Sequence, residues 1–151
     1  MIFYNKTFAR RDLIGMPTQK RQLGDIGEAK AVEFLRGQGY KILERNWRKK
    51  FGEIDIVAAK VKGVVFPKIE SLVFVEVKSV SQQGSGAELA RAAQNVHYQK
   101  QQRLIKTSQD YLRKNKIAAD TPWQIDVIVV VLDNQDKVVK IEHLPNAVWA
   151  R

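Results

Sequence analysis

The chain contains no cysteine, which excludes disulfides and thiolate metal sites and agrees with a reducing, cytoplasmic setting. It has two histidines, His97 and His143, so a histidine-rich metal centre is not expected. Its longest apolar run, Val127 to Leu132, is six residues, against the roughly 20 that a membrane helix needs. No secretory signal is evident, and no segment joins a basic face to a broad lipid-facing one, so no membrane partner is expected. Internal repeats and low-complexity tracts are also missing.

What is present is positive charge. Lysine and arginine number 26 against 16 acids, a formal charge of +10. Residues 91–116 carry seven basic residues and one acid, Asp110. A second cluster, Arg45, Arg48, Lys49 and Lys50, precedes an apolar strand. Such a surface points to a polyanionic partner, nucleic acid and DNA above all. Hydrophobic residues make up 44% of the chain, enough for a packed core.

Residues 1–19 read as a basic arm without periodicity, and residues 20–151 as a single domain. Ala31, Val32 and Leu35 form an apolar stripe that predicts a helix over about 20–37. Glu28 falls in the middle of that stripe, as either a buried ion-pair partner or an active-site acid. Strands are expected at 40–47, 52–58, 72–79, 123–132 and 138–143. The basic turn Arg48-Lys49-Lys50 joins the first two as a hairpin, and residues 59–71 read as a longer connection. A helix follows a flexible loop at 81–86 and ends near Arg113, with Lys100 on its packed side and Arg103 and Lys106 facing out. Val127–Leu132 suits a central strand covered on both faces. The expected fold is an α/β domain, a mixed five-stranded sheet flanked by helices in the order α-β-β-β-α-β-β.

Two strand segments carry chemistry: Gly52-Glu53-Ile54-Asp55-Ile56-Val57 and Phe74-Val75-Glu76-Val77-Lys78. Period-two alternation puts Glu76 and Lys78 on the face of Phe74 and Leu72, where charges are costly unless they pair or bind an ion. Asp55 and Glu76 form a hard-oxygen pair for Mg²⁺ or Mn²⁺, with the Val77 carbonyl as a third donor. Lys78 is placed to orient a water or to act as a base, Lys100 to reach a phosphate. Glu53 reads as a supporting acid. Trp47, Trp123 and Trp149 read as core or lid aromatics before base-stacking platforms, and His97 as structural. This set suits metal-dependent phosphodiester hydrolysis. The competing reading is a nucleic-acid-binding module whose carboxylates only pair with buried cations.

These segments, with Gly24-Asp25-Ile26-Gly27-Glu28-Ala29, Asn46-Trp47-Arg48, Lys100 to Leu104 and Asp126-Val127, resemble the bacterial family named after YraN. That family is placed in the restriction-endonuclease-like, PD-(D/E)xK nuclease superfamily. The order helix Glu, strand Asp, Glu-x-Lys also resembles archaeal-type Holliday junction resolvases. The resemblance implies the nuclease core fold and an active site of Glu28, Asp55, Glu76 and Lys78. It also implies branched DNA as a substrate class, which would require a homodimer with two sites. Ile54 stands where the superfamily name has proline, and Val80 where this family is expected to carry arginine.

Overall fold

The structure, a computed structural model, describes residues 18–82 and 98–148. The arm at 1–17, the segment 83–97 with His97, and Trp149 lie outside the described residues. Thr18 caps the first helix, α1 (Gln19–Gly37), its hydroxyl accepting from the Arg21 amide. The chain then forms β1 (Lys41–Lys49), β2 (Gly52–Lys62), β3 (Lys68–Ser81), α2 (Tyr98–Lys114), β4 (Trp123–Leu132) and β5 (Val138–Val148). The five strands make one sheet in the order β1-β2-β3-β4-β5, antiparallel throughout except for the parallel pair β3 and β4. The expected α/β class and element order are those observed.

Each helix covers one face. Ala31, Val32 and Leu35 of α1 pack on Ile56, Ala58, Val73, Val75, Ile128 and Val130. Leu104, Ile105 and Tyr111 of α2 pack on the other face, with Val57, Phe74, Ile125, Val127 and Val129. All of β4 from Ile125 to Leu132 is buried, so its near-continuous apolar run reflects cover from both sides. Trp47 and Trp123 are packed aromatics: Trp47 meets Tyr111 edge-on at 5.1 Å between ring centroids, and Trp123 meets Phe74 at 5.8 Å.

Three boundaries differ from the sequence expectation. Arg48 and Lys49 belong to β1, paired with Glu53 and Gly52, so the β1–β2 turn is only Lys50 and Phe51. Residues 59–71 are not a long connection. The β2–β3 ladder runs out to Lys62↔Lys68, leaving a tip of five residues, 63–67. Val64, Val65 and Phe66 stand exposed on that tip. β5 also continues past His143 to Val148, through a register shift at residues 145–147. Asp126, wholly buried on β4, holds that shift. It accepts from the amide of Asn146 (2.8 Å) and from Gln124 (2.8 Å), and bonds His143 Nε2 (2.7 Å). Asn146 takes a positive φ of 52° there.

Candidate active site where the central strands part

β2 and β3 pair in register up to Ile56↔Val75 and then part. Asp55 is the first residue of β2 beyond that last rung. Its Oδ2 accepts the amide of Val77 at 2.7 Å, so a side chain replaces the ladder bond that a continued β2 would have made. Residues of an extended strand turn their N–H and C=O to the same side, so the Val77 carbonyl faces the same gap.

A second irregularity meets the first. Between the rungs Arg45↔Ile56 and Trp47↔Ile54, Asn46 and Asp55 form no ladder pair. On one side of this gap Ile56 belongs to the core under α1; on the other, Ile54 belongs to the core under α2. Strict alternation would have put both on one face. The β1–β2 register is unchanged across this slip of faces, and Asn46 marks it with φ +53°, a conformation asparagine tolerates better than most residues. Its Nδ2 donates to Glu28 Oε2 of α1 at 3.1 Å, and Arg45 lies 3.7 Å from the same oxygen. Glu28 is therefore held by two β1 residues, and its ion pair with an arginine is real.

Glu76, one residue before Val77, is buried on the α2 side, and Lys100 of α2 places its Nζ on Glu76 Oε1. Burial and the Glu76 charge push the Asp55 carboxyl up to about 7, with Glu28 adding to the push. The Val77 amide and the Lys100 ammonium oppose it. Burial, followed by the Lys100 charge, holds Lys78 below the ordinary lysine range, against the pull of Glu76. Among the described residues no three acidic or imidazole side chains close on one point. The acids are a pair, Asp55 and Glu76, with Glu28 close enough for its charge to be felt.

A cleft of about 390 Å³ opens on the α2 side, lined by Arg48, Lys49, Gly52, Glu53, Lys100, Arg103 and Leu104. Gly52 leaves room there: a Cβ would come within 2.7 Å of Thr107 Oγ1. Glu53 is exposed and pairs with Arg48 at 3.3 Å, so it belongs to the cleft rim, not to the acid pair. Lys49 lies over Trp47, 4.1 Å from the ring centroid, and Lys106 over Phe51 at 4.8 Å. Lys50 is exposed at the β1–β2 turn. The structure thus brings Glu28, Asp55, Glu76, Lys78 and Lys100 together and ranges Arg48, Lys49 and Arg103 beside them. Lys106 and Lys50 lie further along the same basic side. Sequence reasoning met Asn46 only as part of the Asn46-Trp47-Arg48 stretch that carries the family resemblance and gave it no role in the site. Its only signal was an asparagine inside a strand, a residue type that favours turns and left-handed backbone.

The sequence profile of the uncharacterised protein family UPF0102 matches residues 27–130. The chain belongs to that family, the one named after YraN. A UPF0102 protein of Roseiflexus castenholzii is 37% identical over 133 residues, covering 88% of this chain and 98% of its own length. Another, from Alkaliphilus oremlandii, is 38% identical, covering 84% and 97% respectively. A third, from Persephonella marina, is 40% identical over 124 residues, covering 82% and 90%. The matched span holds Glu28, Asp55, Glu76, Lys78 and Lys100 and stops short of the first turns of α1. No helix among the described residues is long and apolar enough to cross a membrane.

Proposed function

We propose that this UPF0102 protein is a metal-dependent endonuclease of the PD-(D/E)xK type, acting on DNA, branched DNA included, in the cytoplasm. One observation carries the reading. Where β2 and β3 part, Asp55 and Glu76 stand as two carboxylates, Asp55 pushed up to about 7 by burial and then by the Glu76 charge, and a basic cleft runs beside them. Paired acids that repel each other are a poor way to stabilise a fold and a good way to prepare a cation site. Asp55, Glu76 and the Val77 carbonyl would hold Mg²⁺ or Mn²⁺, hard donors for a hard ion. When bound, the ion supplies Lewis-acid polarisation of a phosphate oxygen and acidifies its water.

The other roles belong to the chain itself. Lys78, held below the ordinary lysine range by burial and the Lys100 charge, would orient the attacking water and, when unprotonated, take its proton. Glu28, fixed by Asn46 and Arg45, adds negative charge behind Asp55 and sharpens the demand for a cation. Lys100, which pairs with Glu76 here, would be within the site to contact the scissile phosphate if a cation took over Glu76. Arg48, Lys49, Lys50, Arg103 and Lys106 neutralise the backbone phosphates that flank the cut. A junction substrate calls for two such sites, and so for a homodimer.

A second reading is favoured by the same Lys100. Glu76 already has a cation in this structure, as it would in a binding module that never cuts. End-labelled single-stranded, duplex, flapped and four-way-junction DNA, incubated with Mg²⁺, Mn²⁺ or EDTA, separates the two. Metal-dependent cutting by the parent, absent from Asp55→Asn, supports the nuclease. Tight binding without cutting by the parent supports the module.

A further inference from the structure

α1 contains two interior glycines with different surroundings. A Cβ on Gly27 would collide with Ser79 of β3, so helix packing explains that glycine. A Cβ on Gly24 would meet no described residue within 4 Å. Glycine inside a helix is less stable than alanine, and among the described residues neither packing nor a positive φ requires it here. The remaining physical use of a bare helix backbone is the close approach of something outside the fold.

Gly24 faces a cleft of about 520 Å³, lined also by Arg21, Asp25, Glu28, Asn46 and Arg48. Glu28 and Asn46 tie this cleft to the acid pair from the α1 side. Lys100 ties the first cleft to it from the α2 side, and Arg48 lines both. The two openings therefore flank the acids. A polynucleotide crossing a cutting site needs contacts on both sides of the reacting phosphate. The α1 cleft carries two guanidinium groups and two carboxylates, of which Glu28 is held by Asn46 and Arg45, and Arg48 pairs with Glu53 on the exposed rim. That mixture suits a nucleotide unit better than a bare anion. Its phosphate has Arg21 and Arg48, and the amino groups of a base have Asp25 as an acceptor.

We infer that the cleft between α1 and β1 is a second nucleotide subsite, holding the nucleotide next to the scissile bond, with Gly24 kept bare so that its sugar and phosphate can lie against the helix. The inference rests on the nuclease reading for the place of the scissile bond.

The test measures binding, not cutting. Fluorescein-labelled four-way-junction and duplex DNA are titrated in Ca²⁺ over a range of salt, with melting temperatures taken on the same proteins. Gly24→Ala should melt about 2–4 °C higher, because the helix gains a better former. Gly24→Leu should melt no lower than the parent yet bind DNA about tenfold more weakly. Arg21→Gln should lower the slope of log affinity on log salt by about one, the mark of a lost phosphate contact. Parent-like affinity in Gly24→Leu, or a lower melting temperature in Gly24→Ala, overturns the subsite. Arg103→Gln, from the α2 cleft, separates the failures. If it weakens binding while Gly24→Leu does not, the nucleic-acid surface stands and this subsite falls. If the parent itself shows no salt-sensitive binding, both fall.

Discussion

Gly27 of α1 lies so close to Ser79 of β3 that a methyl group at residue 27 would stand 1.8 Å from the serine hydroxyl oxygen. The Ser79 hydroxyl is itself buried and has no hydrogen-bond partner among the described residues. Glu28 follows Gly27 and Lys78 precedes Ser79, so this contact sets how near the helix acid comes to the strand lysine. Gly27→Ala is expected to lower stability by about 1–3 kcal/mol through overpacking, despite its better helix propensity. Ser79→Ala removes the nearer atom and leaves 3.1 Å to its Cβ, so the double variant should recover part of the loss. A double-mutant cycle by urea denaturation measures this. Additive losses would mean that the two residues do not touch.

Asp55 gives the metal-free protein a pH dependence with a definite sign. A carboxyl whose folded pKa is raised keeps its proton better folded than unfolded. Its contribution favours folding at low pH and is lost as pH climbs from about 4, the ordinary range, to about 7. Stability in EDTA should therefore decline over that interval through this group, by an amount on the order of a few kcal/mol at most. Asp55→Asn should flatten the decline and melt higher than the parent at pH 7.5. An unchanged pH profile in the variant would assign the dependence elsewhere.

The same proton reports the metal. Calorimetric titration of Mn²⁺ near pH 6.5, in buffers of different ionisation enthalpy, should show release of up to about one proton per ion. Asp55→Asn should show neither the release nor the tight binding. Lys78→Ala should bind Mn²⁺ like the parent and yet fail to turn over.

Lys100 distinguishes the two functional readings without any nucleic acid. It is the cation on a buried carboxylate, so Lys100→Met should lower the melting temperature in EDTA by a few degrees. Under the nuclease reading, Mn²⁺ restores that loss and binds more tightly than in the parent, because a competing charge has gone. Under the binding-module reading, Mn²⁺ restores nothing.

Asp126, by contrast, should matter to the fold alone. It is buried and bonds His143, Gln124 and the Asn146 amide, all supporting the β5 register shift. Asp126→Ala is expected to cost about 3 kcal/mol by stranding these groups. Mn²⁺ affinity of the folded fraction should remain that of the parent. A variant that folded normally but lost metal would place Asp126 in the site.

Much of this was legible in the residues, for identifiable reasons. The α1 stripe, the unbroken run of β4 and the Glu-x-Lys pair are local patterns whose period fixes their faces. The length of the β2–β3 hairpin was not legible. Lys60, Lys62 and Lys68 look like loop residues, although their backbones pair, and Glu70 sits at the register shift between the Lys60↔Ser71 and Val61↔Ile69 rungs. The far half of β5 was hidden by Pro145 and by a bulge that depends on Asp126, 20 residues away from Asn146 along the chain. The slip at Asn46 and Asp55 was hidden for a related reason. Alternation predicts the face of a strand residue only while the ladder is regular, and the site lies where it is not.

The one parallel pair in the sheet has a consequence for how the protein is made. β3, which carries Glu76 and Lys78, gains its inner neighbour only after residues 82–122 have crossed to β4. Such long-range closure forms late in folding. On a ribosome, the acids of β2 and β3 would emerge as an unsupported hairpin with one flank bare until Leu132 had left the exit tunnel. A nascent chain or a proteolytic fragment ending before that point therefore carries the acids and lysines of the site but not their arrangement.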